Sequence, residues 1–251
     1  VYYPGKKIVN RILALDETDI EVVMEEEVHK ATAIRRPAQA TRWYDPQAPL
    51  SRTFCNPMNI SYNFEPFNNN VRPNGSFRSS ADPMAVEYKG EYFLFSTNQG
   101  GFHYSKNLVD WEYVGTAFTD RTRPDFEPNG GLWAPDINKI GDKYVLYYSM
   151  SVWGGELTCG IGCATADKPE GPFTDHGKMF RSNEINVQNS IDPFYIEDGG
   201  KKYLFWGSFR GIYAIELSDD GLSLKDGATP QQVAGTAYEG TYIHKKDGHY
   251  Y

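Results

Sequence analysis

Four acidic residues, spaced about 50 residues apart, each open a short apolar run in this chain. They are Asp82, Asp136, Asp192 and Glu239. A turn signal containing glycine follows each run and leads into a second apolar run rich in aromatic residues. A repeat of this period is typical of β-propeller blades. Because a propeller brings the same point of every blade to one central axis, the repeat predicts that these distant acids face one another in a single pocket.

The region from residue 79 to residue 251 is predicted to be all-β. Short alternating runs are separated by tight turns, and no long helical periodicity interrupts them. Aromatic residues make up 15% of the chain, which suits strands. The pattern amounts to about three complete blades and part of a fourth, whereas a propeller closes with four or more. The chain is therefore predicted to be a C-terminally incomplete propeller.

Two regions are predicted along the chain. Residues 1–54 form an N-terminal extension, and residues 55–251 form the catalytic propeller domain. Within the latter, residues 56–78 are rich in Asn, Pro and aromatics and are predicted to form a long loop at the mouth of the domain. The strands of the third blade are predicted to be DPFYIE, KYLFWGS, GIYAIEL and LSLKDG.

Charge and hydropathy exclude several classes of partner. The net charge of −8 argues against nucleic acid, which requires a basic face. No apolar run is long enough for membrane insertion. The first residues lack the apolar core of a signal peptide. A secreted, periplasmic or cell-surface location after removal of a leader is favoured, with the cytoplasm as the alternative, and the oligomeric state stays open.

The cysteines predict neither a disulfide nor a metal site. Cys159 and Cys163 lie four residues apart, about 13 Å on one strand, which is too far for a disulfide unless the chain turns at Gly160 or Gly162. Both are predicted to be small buried apolar residues. Cys55 leaves the number of cysteines odd, and His176 is too isolated to complete a set of metal ligands.

The local contexts of the four acids differ. Asp82 and Asp192 each precede a proline, which biases the acid's own backbone towards extended conformations, and Glu239 precedes a glycine. Asp136 instead follows its proline, so its carboxyl group is predicted to lie at a shifted depth and to accept hydrogen bonds from nearby backbone.

Three convergent carboxyl groups suit hydrolysis of a glycosidic bond. One group must be protonated to donate to the leaving oxygen, and another must be ionised to activate water. A third can raise the pKa of the donor. Glu239 has the longest side chain of the set and small or polar neighbours, which suits a proton donor.

The blocks SSADPM, LWAPDI, NSIDPF, LFWGSFRGI and YEGTYI resemble the signature blocks of glycoside hydrolase family 43, in the right order. The resemblance runs from about Asn56 to Tyr251. It implies a five-bladed β-propeller and an inverting mechanism. In that mechanism Asp82 is the general base, Asp192 the modulator of the donor's pKa and Glu239 the general acid.

The resemblance also implies substrate contacts and a substrate class. It implies that Trp133 lines the sugar pocket and that Ser208 and Phe209 lie near the catalytic carboxyl groups, all three as substrate-binding residues. Trp153 is a further candidate because it follows a strand end. The family contains arabinanases, arabinofuranosidases and xylosidases. The first expectation is removal of terminal α-L-arabinofuranosyl or β-xylosyl units from plant cell-wall polysaccharides or oligosaccharides, since the loop over residues 56–78 would narrow the mouth.

Two alternative functions stay open. One is an endo-acting arabinanase of the same fold. The other is a non-catalytic carbohydrate-binding propeller, which needs aromatic platforms but not three convergent acids. No cofactor is expected to be required, and a structural cation on the propeller axis stays open without identifiable ligands. Trp111 and Trp206 fall inside strand patterns and are predicted to pack between or within blades.

Overall fold

The computed structural model describes residues 59–60, 81–97, 101–119 and 121–251. The predicted extension over residues 1–54 and almost all of the predicted loop over residues 56–78 lie outside these ranges. The chain divides into two compact units. One of them comprises Ser80–Lys89, Phe93–Phe102 and Val114–Tyr251, and it holds every candidate site residue.

Strands dominate the described residues, and the helix among them is a single turn, α1 (Ser182–Ile185). No helix in this part of the chain has the length and apolar character to cross a membrane. The strands are, in chain order, β1 (Asn59–Ile60), β2 (Met84–Tyr88), β3 (Glu91–Ser96), β4 (Gly101–Ser105), β5 (Asp110–Thr116), β6 (Gly131–Ile140), β7 (Lys143–Ser151), β8 (Gly160–Ala166), β9 (Thr174–Arg181), β10 (Phe194–Asp198), β11 (Lys201–Trp206), β12 (Ile212–Glu216), β13 (Gln231–Ala234), β14 (Lys245–Lys246) and β15 (His249–Tyr250).

Successive sheets follow one another along the chain, as the repeat predicts. The first has the order β1-β5-β4-β3-β2, with β1 parallel to β5. The second, β6-β7-β8-β9, and the third, β10-β11-β12-β13, are four-stranded and antiparallel. A hairpin of β14 and β15 follows. The predicted fold class is confirmed, because these meandering sheets are the blades of a β-propeller.

The fourth strand of the third blade is not where the sequence predicts it. LSLKDG was predicted to form this strand, but its Leu224 forms only one isolated bridge, with Leu217. The fourth strand is instead β13. The physical reason is a turn that closes on itself: the N–H of Ser218 donates to the carbonyl of Ser223, and the N–H of Ser223 donates to Ser218 Oγ. These local hydrogen bonds take the place of the inter-strand hydrogen bonds that a fourth strand would form here.

Aromatic side chains fill the core between the second and third blades. Trp206 is fully buried and its ring centroid lies 4.9 Å from that of Phe180. Tyr147 stacks on Tyr195 at 5.8 Å, and its hydroxyl donates to the carbonyl of Gly221 at 2.7 Å. The packing role predicted for Trp206 is therefore confirmed. Burial of such large rings supplies much of the hydrophobic stabilisation between blades.

Two further packing predictions are also confirmed. Trp111 is buried, and its indole N–H donates to the carbonyl of Leu108. Cys159 and Cys163 are buried free thiols. Burial raises the pKa of both thiols, to about 12 for Cys163, so neither is a reactive thiolate at neutral pH.

Candidate active site

A left-handed residue followed by proline recurs at the first strand of each blade. Asp82, Ala134 and Asp192 have φ values of 52°, 42° and 59°, and each precedes a proline. The extended backbone predicted for Asp82 and Asp192 before their prolines is therefore wrong, because the surrounding structure holds both residues left-handed against that local preference. Such angles are uncommon outside glycine, so their recurrence marks one shared turn. The alignment of Asp136 with the other acids is therefore corrected: Ala134 occupies the equivalent position in the second blade, and Asp136 lies two residues further along β6.

The structure brings together the three carboxyl groups predicted to be catalytic. Asp82 and Glu239 are exposed, whereas Asp192 is half-buried. Burial, followed by the negative charges of Asp82 and Glu239, raises the pKa of Asp192 to about 7. A hydrogen bond from the N–H of Gly240 opposes the rise. Because both other acids act on Asp192, the three groups form one electrostatic unit.

A cavity of about 210 Å³ lies at this cluster. Two of the acids, Asp82 and Asp192, form part of its wall, and the three residues that follow Glu239 form another part. The full lining is Asp82, Pro83, Met84, Ala134, Pro135, Asp136, Asp192, Pro193, Phe194, Gly240, Thr241 and Tyr242. The cavity is therefore built at the recurring left-handed turns of successive blades.

The loop after β11 holds Glu239. Ser208 forms an isolated antiparallel bridge with Glu239, and its buried hydroxyl donates to Oε2 of that residue at 3.0 Å. The next backbone N–H, from Phe209, donates to the carbonyl of Tyr238 at 2.9 Å. Asn189 Nδ2 donates to the carbonyl of Ser208 at 2.7 Å. Backbone and side chain of Glu239 are thus both tied to the third blade.

Thr97 holds Asp82. Its hydroxyl donates to Asp82 Oδ2 at 2.5 Å, and its N–H donates to the carbonyl of Ala81 at 3.0 Å. The same hydroxyl oxygen accepts the N–H of Ala134 at 2.9 Å. Thr97 therefore fixes the first acid and the left-handed turn of the second blade at once.

Asp136 has the structural role that its sequence context predicts. Its side chain is only 3% exposed, and Oδ2 accepts the backbone N–H of Tyr195 at 2.6 Å and Nδ2 of Asn138 at 2.9 Å. Burial raises its pKa to about 7, against the opposing effect of these two hydrogen bonds. Asp136 thereby joins β6 to β10 just beyond Asp192.

None of the aromatic candidates Trp133, Trp153 and Phe209 is in the cavity lining, and Trp153 and Phe209 are exposed. Trp133 precedes Ala134, and its ring centroid lies 6.4 Å from that of Trp153. Trp153 follows the end of β7 and is 95% exposed. Phe209 is 47% exposed. A large exposed aromatic surface of this kind is informative, because the flat face of a ring suits stacking against sugars.

Sequence reasoning missed an ion pair between two loops. Arg210 donates from Nε and Nη2 to the two carboxyl oxygens of Glu156, both at 2.9 Å, and the carboxyl of Glu156 also accepts a bond from Gln188. The bidentate geometry favours a fixed orientation of both side chains. Arg210 stands inside the block LFWGSFRGI, but nothing in the sequence around Glu156 indicates its partner 54 residues away.

Metal binding finds no support in the described ranges. Among these residues, no group of three or more His, Cys, Asp or Glu side chains is placed to hold a metal ion.

A propeller with two carboxyl groups in the wall of a cavity and a third acting on one of them has the groups that glycoside hydrolysis requires. The model of the family described as glycosyl hydrolases family 43 matches residues 76–251, and the chain belongs to this family. The resemblance expected from the signature blocks is thereby confirmed.

Named relatives share both sequence and fold. Arabinan endo-1,5-α-L-arabinosidase C of Emericella nidulans is 38% identical over 172 residues, which cover 64% of this chain and 53% of that protein. Cellvibrio cellulosa α-L-arabinanase complexed with arabinohexaose is 27% identical with a TM-score of 0.60, covering 68% of this chain and 62% of its own. An exo-1,5-α-L-arabinanase from a bovine ruminal metagenomic library is 29% identical with a TM-score of 0.60 and the same two coverages. The chain spans about half the length of the curated relatives it matches.

Proposed function

We propose that this protein is an inverting glycoside hydrolase that cleaves arabinan at internal α-1,5 linkages. The observation that carries the proposal is the cavity whose wall holds Asp82 and Asp192, together with the charge of Glu239, which acts on Asp192 beside it. A non-catalytic binding propeller would have no need of this arrangement, since convergent acids are costly unless they perform chemistry.

Each acid has a distinct role in the proposed mechanism. Glu239, oriented by Ser208, donates a proton to the leaving oxygen. Asp82, oriented by Thr97, takes a proton from the attacking water on the opposite face of the sugar. Asp192, whose pKa is raised to about 7, carries little charge below neutral pH and becomes a third negative charge above it. The ionisation of Asp192 therefore controls how readily Glu239 donates its proton and how readily Asp82 accepts one.

Internal cleavage is favoured over removal of terminal units by two observations. The Emericella relative is named as an endo-acting arabinosidase. In addition, the exposed rings of Trp153 and Phe209 offer stacking surface beyond the small cavity, which suits a chain of several sugars. The expectation of terminal cleavage by an arabinofuranosidase or xylosidase depended on residues 56–78, which lie almost wholly outside the described residues.

Product analysis tests the proposal. The protein would be incubated with linear arabinan, arabinohexaose, an aryl α-L-arabinofuranoside and an aryl β-D-xyloside, beside its Glu239→Gln variant. Internal cleavage of arabinan predicts an early series of oligomers, little release of the aryl group and loss of activity in the variant. Proton NMR of the first products would show the inverted anomer.

Other outcomes would replace the proposal. Early release of arabinose alone would support terminal cleavage, and release from the xyloside would change the sugar. Binding of arabinohexaose without hydrolysis, by protein whose circular dichroism shows a folded β domain, would support the carbohydrate-binding alternative.

A further inference from the structure

Two hydroxyl groups, one on the half-buried Thr97 and one on the buried Ser149, occupy the same place in the repeat. Thr97 lies fifteen residues after the left-handed Asp82, and Ser149 lies fifteen residues after the left-handed Ala134. Thr97 follows the last residue of β3, and Ser149 lies two residues before the end of β7, so both are near the end of the second strand of their blade. The equivalence is a structural one, because it is measured from the left-handed turns rather than from the acids.

Each hydroxyl accepts the same hydrogen bond from the next blade. Thr97 Oγ1 accepts the N–H of Ala134 at 2.9 Å, and Ser149 Oγ accepts the N–H of Asp192 at 2.9 Å. Both donors are the left-handed residues of the following blade. The bond is therefore a recurring joint between blades, and in the second blade it acts directly on the backbone of an acid at the site.

The third blade has a glycine at this position and therefore no hydroxyl group there. Gly207 occupies the equivalent position, as shown by its N–H, which donates to the carbonyl of Ile191 in the way that the N–H of Thr97 donates to that of Ala81. A Cβ atom on Gly207 would lie 2.1 Å from the carbonyl oxygen of Gly211, so no side chain fits. The next residue, Ser208, supplies the hydroxyl and bonds the carboxylate of Glu239.

The hydrogen bond from the N–H of Asp192 to Ser149 Oγ is not easily replaced by another partner. Ser149 is 0% exposed, so water cannot readily replace its hydroxyl. The left-handed conformation of Asp192 is strained for a residue with a Cβ atom, and such conformations persist only where the surroundings hold them. The charges of Asp82 and Glu239 both act on Asp192, so a small change in its backbone alters its interaction with both.

We propose that Ser149 is a positioning residue that fixes the backbone of Asp192, and through it the three-acid cluster, without contacting the substrate. The catalytic part of this inference rests on the proposed function. Thr97 performs the equivalent task for the turn at Ala134, but it also bonds Asp82, so Ser149 isolates the effect of the joint alone.

The test compares three variants of the protein. Ser149→Ala removes the hydroxyl, and Ser149→Thr keeps a hydroxyl of the kind that Thr97 supplies. Ser151→Ala is the matched control: Ser151 lies on the same strand, is buried, and donates to the carbonyl of Val152 instead of to any of the three acids. For each variant, kcat and KM on arabinan, the thermal midpoint of unfolding, and the carboxyl NMR titration of Asp192 would be measured.

The expected results separate positioning from general stability. Ser149→Ala is expected to lower kcat by about 10- to 100-fold with little change in KM, because misplacement of a reacting group acts on the transition state. Its Asp192 titration midpoint is expected to move down from about 7, since a less restrained carboxyl group is better hydrated. Ser149→Thr should restore most of kcat, and Ser151→Ala should leave both readouts unchanged even if it lowers the thermal midpoint.

Two results would overturn the inference. The first is a loss of kcat in Ser149→Ala no larger than that in Ser151→Ala. The second is an unchanged Asp192 titration in folded Ser149→Ala protein. The titration requires no substrate, so it decides the positioning role even if the wild-type protein hydrolyses no arabinan and the proposed function fails.

Discussion

The hydroxyl of Ser208 donates a hydrogen bond of 3.0 Å to Glu239 Oε2, across 31 residues of sequence. The side chain of Ser208 is buried. The backbones of Ser208 and Glu239 also pair with each other, in an isolated β-bridge. The family resemblance implies that Ser208 lies near the catalytic carboxyl groups and binds substrate. The structure gives its hydroxyl a partner on the protein, so its expected contribution is orientation of the acid.

Removal of this hydroxyl is expected to slow catalysis without weakening substrate binding. Ser208→Ala should lower kcat on arabinan about tenfold, the size expected for one hydrogen bond to a charged group, while KM stays near the wild-type value. Steady-state kinetics would check this, with Ser218→Ala in an exposed turn as the control. A rise in KM at constant kcat would instead show that Ser208 binds the sugar.

The acids could be predicted from the sequence because each precedes a residue that restricts or frees the backbone in a recognisable block. The hydroxyl partners could not. Thr97 and Ser149 carry no motif of their own, and their significance depends on the left-handed turn at Ala134, which has no acidic side chain to mark it. Each hydroxyl bonds a turn of the adjacent blade, so the sequence reveals the pairing only when the alignment of one blade with the next is known.

The loss of activity on substituting Glu239 should depend on the leaving group, whereas the loss on substituting Asp82 should not. Glu239→Gln is expected to lower kcat on arabinan by about 10²- to 10⁴-fold, because the leaving oxygen is no longer protonated. An aryl arabinoside with an acidic phenol needs no such help, so any residual activity on it should fall far less. Asp82→Asn should reduce both activities equally, since activation of water is needed in either case.

Rates on two aryl arabinosides that differ in phenol acidity would provide the measurement. Circular dichroism of both variants would serve as the folding control. If Asp82→Asn, and not Glu239→Gln, shows the dependence on the leaving group, the roles of acid and base are reversed.

The strand pattern was predictable wherever alternation and tight turns coincide, as in β2 and β3, where a Lys-Gly turn joins two apolar runs. It failed at LSLKDG, where hydrogen bonds between Ser218 and Ser223 close a turn before a ladder can form. The apolar residues of LSLKDG alternate as they would in a strand, because Leu222 and Leu224 both pack against the core. Such a segment can be told from a strand only by its partners.

Trp153 should contribute to binding of long substrates and not to stability. Its ring is 95% exposed and tilted against that of Trp133, so Trp153→Ala removes stacking surface without opening a cavity. KM for arabinohexaose is expected to rise about 3- to 10-fold, with the thermal midpoint unchanged. Leu157→Ala is the control, since Leu157 is apolar and 60% exposed but has no ring. An equal effect of both variants would argue against stacking.

Asp136 should make the protein less stable as pH rises through the range from about 4 to 7. Burial raises the pKa of Asp136 to about 7, so between these values the folded state retains a proton that the unfolded state has released. The free energy of unfolding must then fall with rising pH, and by pH 8 the loss from this group reaches up to about 4 kcal/mol. Asp136→Asn keeps an oxygen that can accept the N–H of Tyr195 but cannot ionise.

Urea unfolding at pH 4.5 and pH 8 would measure the effect. The wild-type protein should lose more stability between the two conditions than Asp136→Asn does, so that the variant gains relative to wild type as pH rises. Asp192 contributes a fall of the same sign in both proteins, because its pKa is also raised to about 7, and it therefore cancels in the comparison. Asp219→Asn, at an exposed turn, is the control for a change of net charge alone. A constant difference between wild type and Asp136→Asn at both pH values would mean that the folded state holds Asp136 ionised throughout, and that its two hydrogen bonds outweigh the cost of burial.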